Sequence, residues 1–539
     1  MCTNRLGCGV AGSLGRMLAL GVALLLCGVC SAGRFVSITV LHTCDLHGHV
    51  RPTHDYAGNP DLGGLARCAT KIRELRKKAD NVLVLDVGDT LQGTPASLLA
   101  GGETIVASMN ALGYDAWVLG NHEFDWGTAK LAPRILQAKM PVLNADLLPP
   151  DDAPAPIREA LARVQSFVMR EFEGVRVAVI GLNTPGIPGW IPAGKLEGVR
   201  FAEPIPTLKR AVRDAQNAGA DVLVLAVHQG FRPWGDSEAN RINAIASVAP
   251  ELDVILGAHT HREHESVILD DTLYVQAGYH GITLGEVEIQ YDKKRRRVSR
   301  RTSRLHRMTK EVRQDPEVLR ICKAYLEKAE RMLDERIGVA AARFDVKGAP
   351  ARETAVHSLF FDSIRAALAK RGTKVDAVLH GVLDHDYALS RGPVTMREVW
   401  RIVPYENTIV VLEMRAKHLR GILDENAARP RSYKFLGIGG ELKAALDFDA
   451  EDGKRLVSLT DAKGRAVEPD QRIVVAMNSY DFAGWRSRSP TMQAALEDAA
   501  TRVEETDLDT RSAVAEFIRA RKSVEPHVEN GWRTVERGE

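Results

Sequence analysis

Several apolar runs rich in β-branched residues divide the first half of this chain, and many of them stop at a polar residue. Residues 35–41, 81–87, 116–119, 221–227 and 252–256 read as buried strands. Shorter runs at 142–146 and 176–182 read the same way. Between them, residues 61–78 and 104–112 carry helical patterns, the first opening on Gly63-Gly64-Leu65-Ala66-Arg67. Strands alternating with helices predict an α/β domain. In open α/β sheets, ligands gather at the carboxyl ends of the strands. Five of these strands end in Asp, His or Asn, often beside a glycine that lets the backbone turn sharply.

The pattern changes further on. Residues 316–337 read as a charged amphipathic helix with Leu319, Ile321, Leu326 and Leu333 on its apolar side, ended by Gly338. It is a natural connector to a second region, where helical and strand patterns alternate at 356–370, 375–379, 408–414, 419–427 and 472–477. A chain of 539 residues is too long for one core, so two or more domains are expected. The divisions read here are an export signal at 1–32, a catalytic domain at 33–308, a linker helix at 309–340, a second α/β domain at 341–525 and a less ordered tail at 526–539.

Composition narrows the classes. Hydrophobic residues at 45% are ordinary for a soluble protein, and a net charge of +2 gives no reason to expect a nucleic-acid partner. Arg5 and Arg16 precede an apolar run at 17–29, and Cys30-Ser31-Ala32 offers small residues for cleavage. The run falls short of the roughly 20 residues that span a bilayer. A protein exported to the periplasm or secreted is therefore expected, with no stable membrane span. Lipid anchoring at Cys27 or Cys30 is disfavoured by the residues that precede them. Cys44, Cys68 and Cys322 remain after cleavage, too sparse a set for a disulfide framework, and a pairing of Cys44 with Cys68 is not readable. The basic tract from Lys293 to Arg307 reads as a solvated hairpin or edge strand in preference to a patch for an anionic surface.

The strand ends carry the chemistry. They supply Asp45, His47, Asp89, Asn121, His228, His259 and His261. One metal takes about four to six ligands, so a mixed oxygen and nitrogen set of this size suits two metals sharing a carboxylate, with Asp89 the natural bridge. Beside Asn121, His122 can shuttle a proton, and Asp125 can hold its other ring nitrogen.

The series Asp45-x-His47, Gly88-Asp89, Gly120-Asn121-His122-Glu123, His228 and Gly257-x-His259-x-His261 resembles the calcineurin-like metallophosphoesterases, and the wording around it resembles their 5'-nucleotidase and periplasmic UDP-sugar hydrolase branch. The resemblance covers most of residues 35–290. It implies a four-layer α/β/β/α sandwich followed by a C-terminal α/β substrate-binding domain. It implies one metal held by Asp45, His47, Asp89 and His261, and another held by Asp89, Asn121, His228 and His259. Zinc, manganese, iron or cobalt suit such ligands. His122 would stabilise the phosphate and protonate the leaving oxygen, with Asp125 setting its tautomer. The implied reaction is phosphate release from a small phosphoester, a nucleotide above all, by in-line attack of a metal-bridging hydroxide. The alternatives are a 2',3'-cyclic phosphodiesterase, a UDP-sugar pyrophosphatase or, in another class, a surface-binding protein using the basic tract.

The resemblance weakens in the second domain. Tyr405, after Val403-Pro404, takes the place of one base-stacking aromatic, and Tyr480 in Asn478-Ser479-Tyr480 takes that of its partner. The gripping loop reads His380-Gly381-Val382-Leu383-Asp384-His385, so the family's arginine is missing and His380 and His385 stand as candidate substrate contacts.

Overall fold

A computed structural model describes residues 33–349, 352–385, 387–428 and 435–535. The export signal read at 1–32 lies outside them. Among the described residues, no helix is long and apolar enough to cross a membrane.

The catalytic region is built on two sheets. The seven-stranded sheet runs Arg297–Arg307, Thr283–Asp292, Phe35–Thr43, Val82–Asp86, Ala116–Val118, Val142–Leu143, Val164–Gln165 from edge to edge. The six-stranded sheet runs Glu263–Leu269, Thr272–Ala277, Val254–Gly257, Val222–Val227, Val175–Leu182, Phe167–Phe172. Ile38, Val40, Leu85 and Val118 of the first meet Val177, Val224, Val254 and Val275 of the second in a dry apolar layer. Helices cover both outer faces. Leu65–Arg76 and Glu103–Leu112 pack through Ile72, Ile105 and Met109, and Pro204–Asn217 packs through Leu208 and Val212. The result is the four-layer sandwich. Strands covered on both sides must be continuously apolar, which is why they were legible as unbroken runs. The central strands run parallel, so their carboxyl ends converge on one edge.

The second region centres on a five-stranded sheet in the order Gly437–Gly440, Ala377–His380, Arg472–Asn478, Thr408–Arg415, Arg502–Asp509. Ala355–Lys370 and Ala416–Ala427 flank it. Two expectations change, at the amphipathic helix and at the tail. The amphipathic helix spans Pro316–Leu333, capped by Asp315, and stops four residues short of Ile337 because Arg336–Ala340 pairs as a strand with Gly392–Thr395. Its apolar side, Val318, Cys322, Leu326 and Ala329, joins the helical layer of the first domain. The described residues of the tail, 526–535, join the fold: Trp532–Thr534 pairs with Leu442–Leu446 and buries Trp532. The basic tract is the outer strand of a hairpin at the edge of the seven-stranded sheet.

Candidate metal centre and the cleft above it

Five of the seven candidate ligands, Asp45, His47, Asp89, His259 and His261, have backbone φ between 46° and 72°. Non-glycine residues rarely adopt the left-handed region, and such strain collects where the surrounding fold imposes a functional geometry. Each lies just beyond a strand end, where the chain must turn at once. The loops also approach closely. A Cβ on Gly120 would lie 2.3 Å from Asp89 Oδ1, so only glycine lets these two loops touch. Glu123 ties them together. Its buried carboxylate accepts the backbone N–H groups of Gly120 at 2.6 Å, Asp89 at 2.9 Å, Thr90 at 2.7 Å and Leu91 at 3.1 Å.

Two clusters result. Asp45, His47 and His261 form one, and Asp89, His228 and His259 the other, each with ligand atoms within 4.8 Å of one another. Asp89 lies between them: its Oδ2 is 3.0 Å from His228 Nε2 and 3.9 Å from His47 Nε2. Asn121 Oδ1 stands 3.0 Å from His259 Nδ1. The sequence-predicted ligands are therefore brought together as one centre.

The donor set fits cations. Burial, reinforced by His261, pulls the His47 pKa down to about 3, so this imidazole is neutral. Its Nδ1 donates to the Gln92 carbonyl at 3.0 Å, which leaves a lone pair on Nε2, 3.0 Å from His261 Nε2. A proton on His261, or a cation held by both rings, satisfies that lone pair. His228 Nδ1 likewise donates to the Val87 carbonyl at 2.7 Å, which turns its buried Nε2 to Asp89 Oδ2, 3.0 Å away. Burial works against charge on His228, but Asp89 outweighs it and pushes the pKa up to about 9. A cation beside Asp89 would relieve the same imbalance.

His122 faces this centre without joining either cluster, its ring 5.1 Å from that of His47. Its backbone N–H donates to Asp89 Oδ1 at 2.8 Å, and its Nδ1 sits 2.7 Å from Asp125 Oδ2. Burial lowers its pKa, but Asp125 and then Asp89 override burial and push it up to about 10. The next residue reaches across to the second domain: Trp126 Nε1 donates to Glu406 Oε2 at 2.7 Å. Glu406 also meets the buried Arg511 at 3.4 Å. Its neighbour Tyr405 is 53% exposed, and Tyr480, in the first turn of Ser479–Arg488, is 59% exposed. His380 is instead buried, with Nδ1 at 2.6 Å from the Gly381 carbonyl and Nε2 at 3.2 Å from Thr510 Oγ1. Both its nitrogens are engaged inside the fold, so it braces the loop from behind. His385 is half-buried, its Nε2 donating to the Val382 carbonyl at 3.0 Å.

Other residues around the centre carried no sequence signal. Trp190 stacks on His259 at 5.3 Å between centroids. Tyr56 stacks on Tyr279 at 4.2 Å and places its hydroxyl 2.5 Å from His261 Nδ1. His49 stacks on His280 at 3.7 Å between centroids. Cys44 and Cys68 are free and buried, each with its thiol against a backbone carbonyl.

Known proteins resemble this chain. The profile of the calcineurin-like phosphoesterases matches residues 38–263, and that of the 5'-nucleotidase C-terminal domain matches residues 336–493. A probable 5'-nucleotidase of Treponema pallidum is 24% identical over 607 aligned positions, covering 95% of this chain and 97% of that protein. An endonuclease of Bacillus subtilis is 25% identical over 462 positions, covering 83% of this chain, which spans only 37% of the endonuclease. A putative 5'-nucleotidase from Staphylococcus aureus, of known structure, has the same fold: TM-score 0.77 over 93% of this chain and 100% of the other, at 20% identity.

Proposed function

The chain belongs to the calcineurin-like phosphoesterases that carry a 5'-nucleotidase C-terminal domain, and from that membership we propose an exported, two-metal phosphohydrolase that releases phosphate from nucleotides. The observation that carries the reading is the shared Asp89, set between two histidine clusters. Asp45, His47, Asp89 and His261 would hold one divalent ion, and Asp89, Asn121, His228 and His259 the other. When bound, such a pair polarises phosphoryl oxygens and makes hydroxide available near neutral pH.

The remaining steps belong to the chain's own residues. His122, held charged by Asp125, meets the negative charge that builds on the phosphoryl group and gives its proton to the leaving oxygen. Asp125 keeps the proton of the ring on Nδ1, so that Nε2 is the atom that acts. Tyr405 and Tyr480, both exposed side chains, are the candidate rings for a planar base, which stacking accepts whatever its identity. His385, half-buried in the loop that lacks the family's arginine, is the remaining candidate contact to the leaving group.

Phosphate release from AMP, a sugar nucleotide and bis-p-nitrophenyl phosphate, each with zinc, manganese or cobalt, tests the reading. AMP is expected to be the best of the three. A preference for the sugar nucleotide or the diester moves the activity to a pyrophosphatase or phosphodiesterase on the same centre. No turnover of any of them overturns the enzyme reading.

A further inference from the structure

We infer that Tyr56 is a positioning residue whose hydroxyl sets the cation affinity of the Asp45–His47–His261 half of the centre. The inference rests on the two-metal reading above and adds a residue outside the ligand set. Its ground is a contrast between His261 and the buried ligand histidines His47 and His228. A metal-bound imidazole uses one nitrogen for the metal and the other for a partner that fixes its orientation. His47 and His228 lean on the backbone carbonyls of Gln92 and Val87, which no side-chain change removes. His261 turns its Nε2 toward Asp45 Oδ1, 3.5 Å away, and its Nδ1 toward the Tyr56 hydroxyl at 2.5 Å. Its orientation therefore depends on one side chain from a surface loop.

The rings around it are arranged for that purpose. Tyr56 lies nearly parallel to His261, at 12° and 5.9 Å, and to Tyr279, at 13° and 4.2 Å. The Tyr279 hydroxyl in turn accepts the Tyr56 backbone N–H at 2.9 Å, fixing the loop at the point where it delivers the ring. His261 itself stands at φ 56° with a side chain 24% exposed, and on its Nδ1 side the hydrogen-bonding partner is the Tyr56 hydroxyl.

A hydroxyl also suits both states of this ligand, because it can donate or accept. Without a cation, Tyr56 O–H donates to His261 Nδ1, and His261 Nε2–H donates to the lone pair on His47 Nε2. Were His261 to hold a cation through Nε2, its ring proton would sit on Nδ1 and be donated to Tyr56 Oη. A backbone carbonyl serves only the second state, and a phenyl ring serves neither.

The test is Tyr56→Phe, which keeps the stacked ring and removes the hydroxyl. Metal-free full-length protein is titrated with manganese and with zinc in competition with a chromogenic chelator, and its thermal midpoint is measured in EDTA. Wild type is expected to bind two ions. Tyr56→Phe is expected to bind one as wild type does and the other about tenfold more weakly, with the EDTA midpoint unchanged. Tyr56→Ala, losing ring and hydroxyl, should weaken the same site further. Two sites of wild-type affinity in Tyr56→Phe overturn the inference while leaving the functional reading intact. Weakening of both sites together with a lower EDTA midpoint also overturns it, in favour of a merely structural role. Failure of the wild type to bind any ion overturns the functional reading, and the inference with it.

Discussion

Asn121 and His122 are neighbours whose side chains turn to different partners. The Asn121 amide oxygen turns to His259 and the cluster around Asp89, while His122 turns to Asp125 and the open side of the centre. His122→Ala is therefore expected to keep both ions and to lower kcat by about 10²- to 10⁴-fold, the usual range for a lost general acid. Metal content by elemental analysis, beside the rate, checks this, and loss of an ion would refute the assignment. The proposed roles rest on residue type and spacing along a short loop, and on the family resemblance. Tyr56 was not legible. Nothing in its own segment marks it, and its meaning comes from His261, which lies 205 positions away in the chain.

At the scale of elements, two of the loops that bear the ligands are held together by Glu123. Its four backbone hydrogen bonds join the turn after Val82–Asp86 to the turn after Ala116–Val118. Hydrogen bonds to a buried charged group are worth about 1.5–3 kcal/mol each, and removing their acceptor leaves the donors unpaired. Glu123→Ala is thus expected to cost about 3 kcal/mol or more, read from the urea midpoint of the metal-free protein, and to weaken metal binding. A midpoint within the error of wild type would show that the loops hold without it. Glu123 sits in a motif the sequence made conspicuous, yet its role depends on two strand ends meeting side by side. The same limit explains the helix end at Leu333. Ile337 continues the apolar spacing of the helix, but pairing with Gly392–Thr395 takes that segment into a sheet, and such a partner is invisible to local periodicity.

At the scale of the molecule, the two regions meet above the centre. Trp126, directly after Asp125, is hydrogen-bonded to Glu406, directly after Tyr405, so one contact joins the catalytic loop to the exposed ring of the second region. Trp126→Phe removes that bond and keeps the aromatic body. A net loss of about 1 kcal/mol corresponds to roughly a fivefold change in an equilibrium constant. The KM for AMP is expected to rise by that factor, and the KM for phenyl phosphate, too small to engage both rings, to rise less. Equal changes for both substrates would place the contact outside leaving-group recognition. The basic strand Arg297–Arg307 has a plainer part: as the open edge of the seven-stranded sheet, its charges discourage another chain from pairing there.

The sequence by itself determined the strands of the sandwich, the chemistry at their ends and the identity of every candidate ligand. Continuous apolar runs, glycines at sharp turns and Asp, His and Asn at short spacing are local properties, and local properties can be read along a chain. Only the tertiary structure decided which partners those residues have. It placed Asp89 between two clusters, set Glu123 under both loops, leaned His261 on Tyr56, buried His380 and brought Trp126 to Glu406. Each of these joins segments far apart in sequence or depends on how deeply a loop is packed. Such contacts exist only once the sheets have stacked and their strand ends have come together.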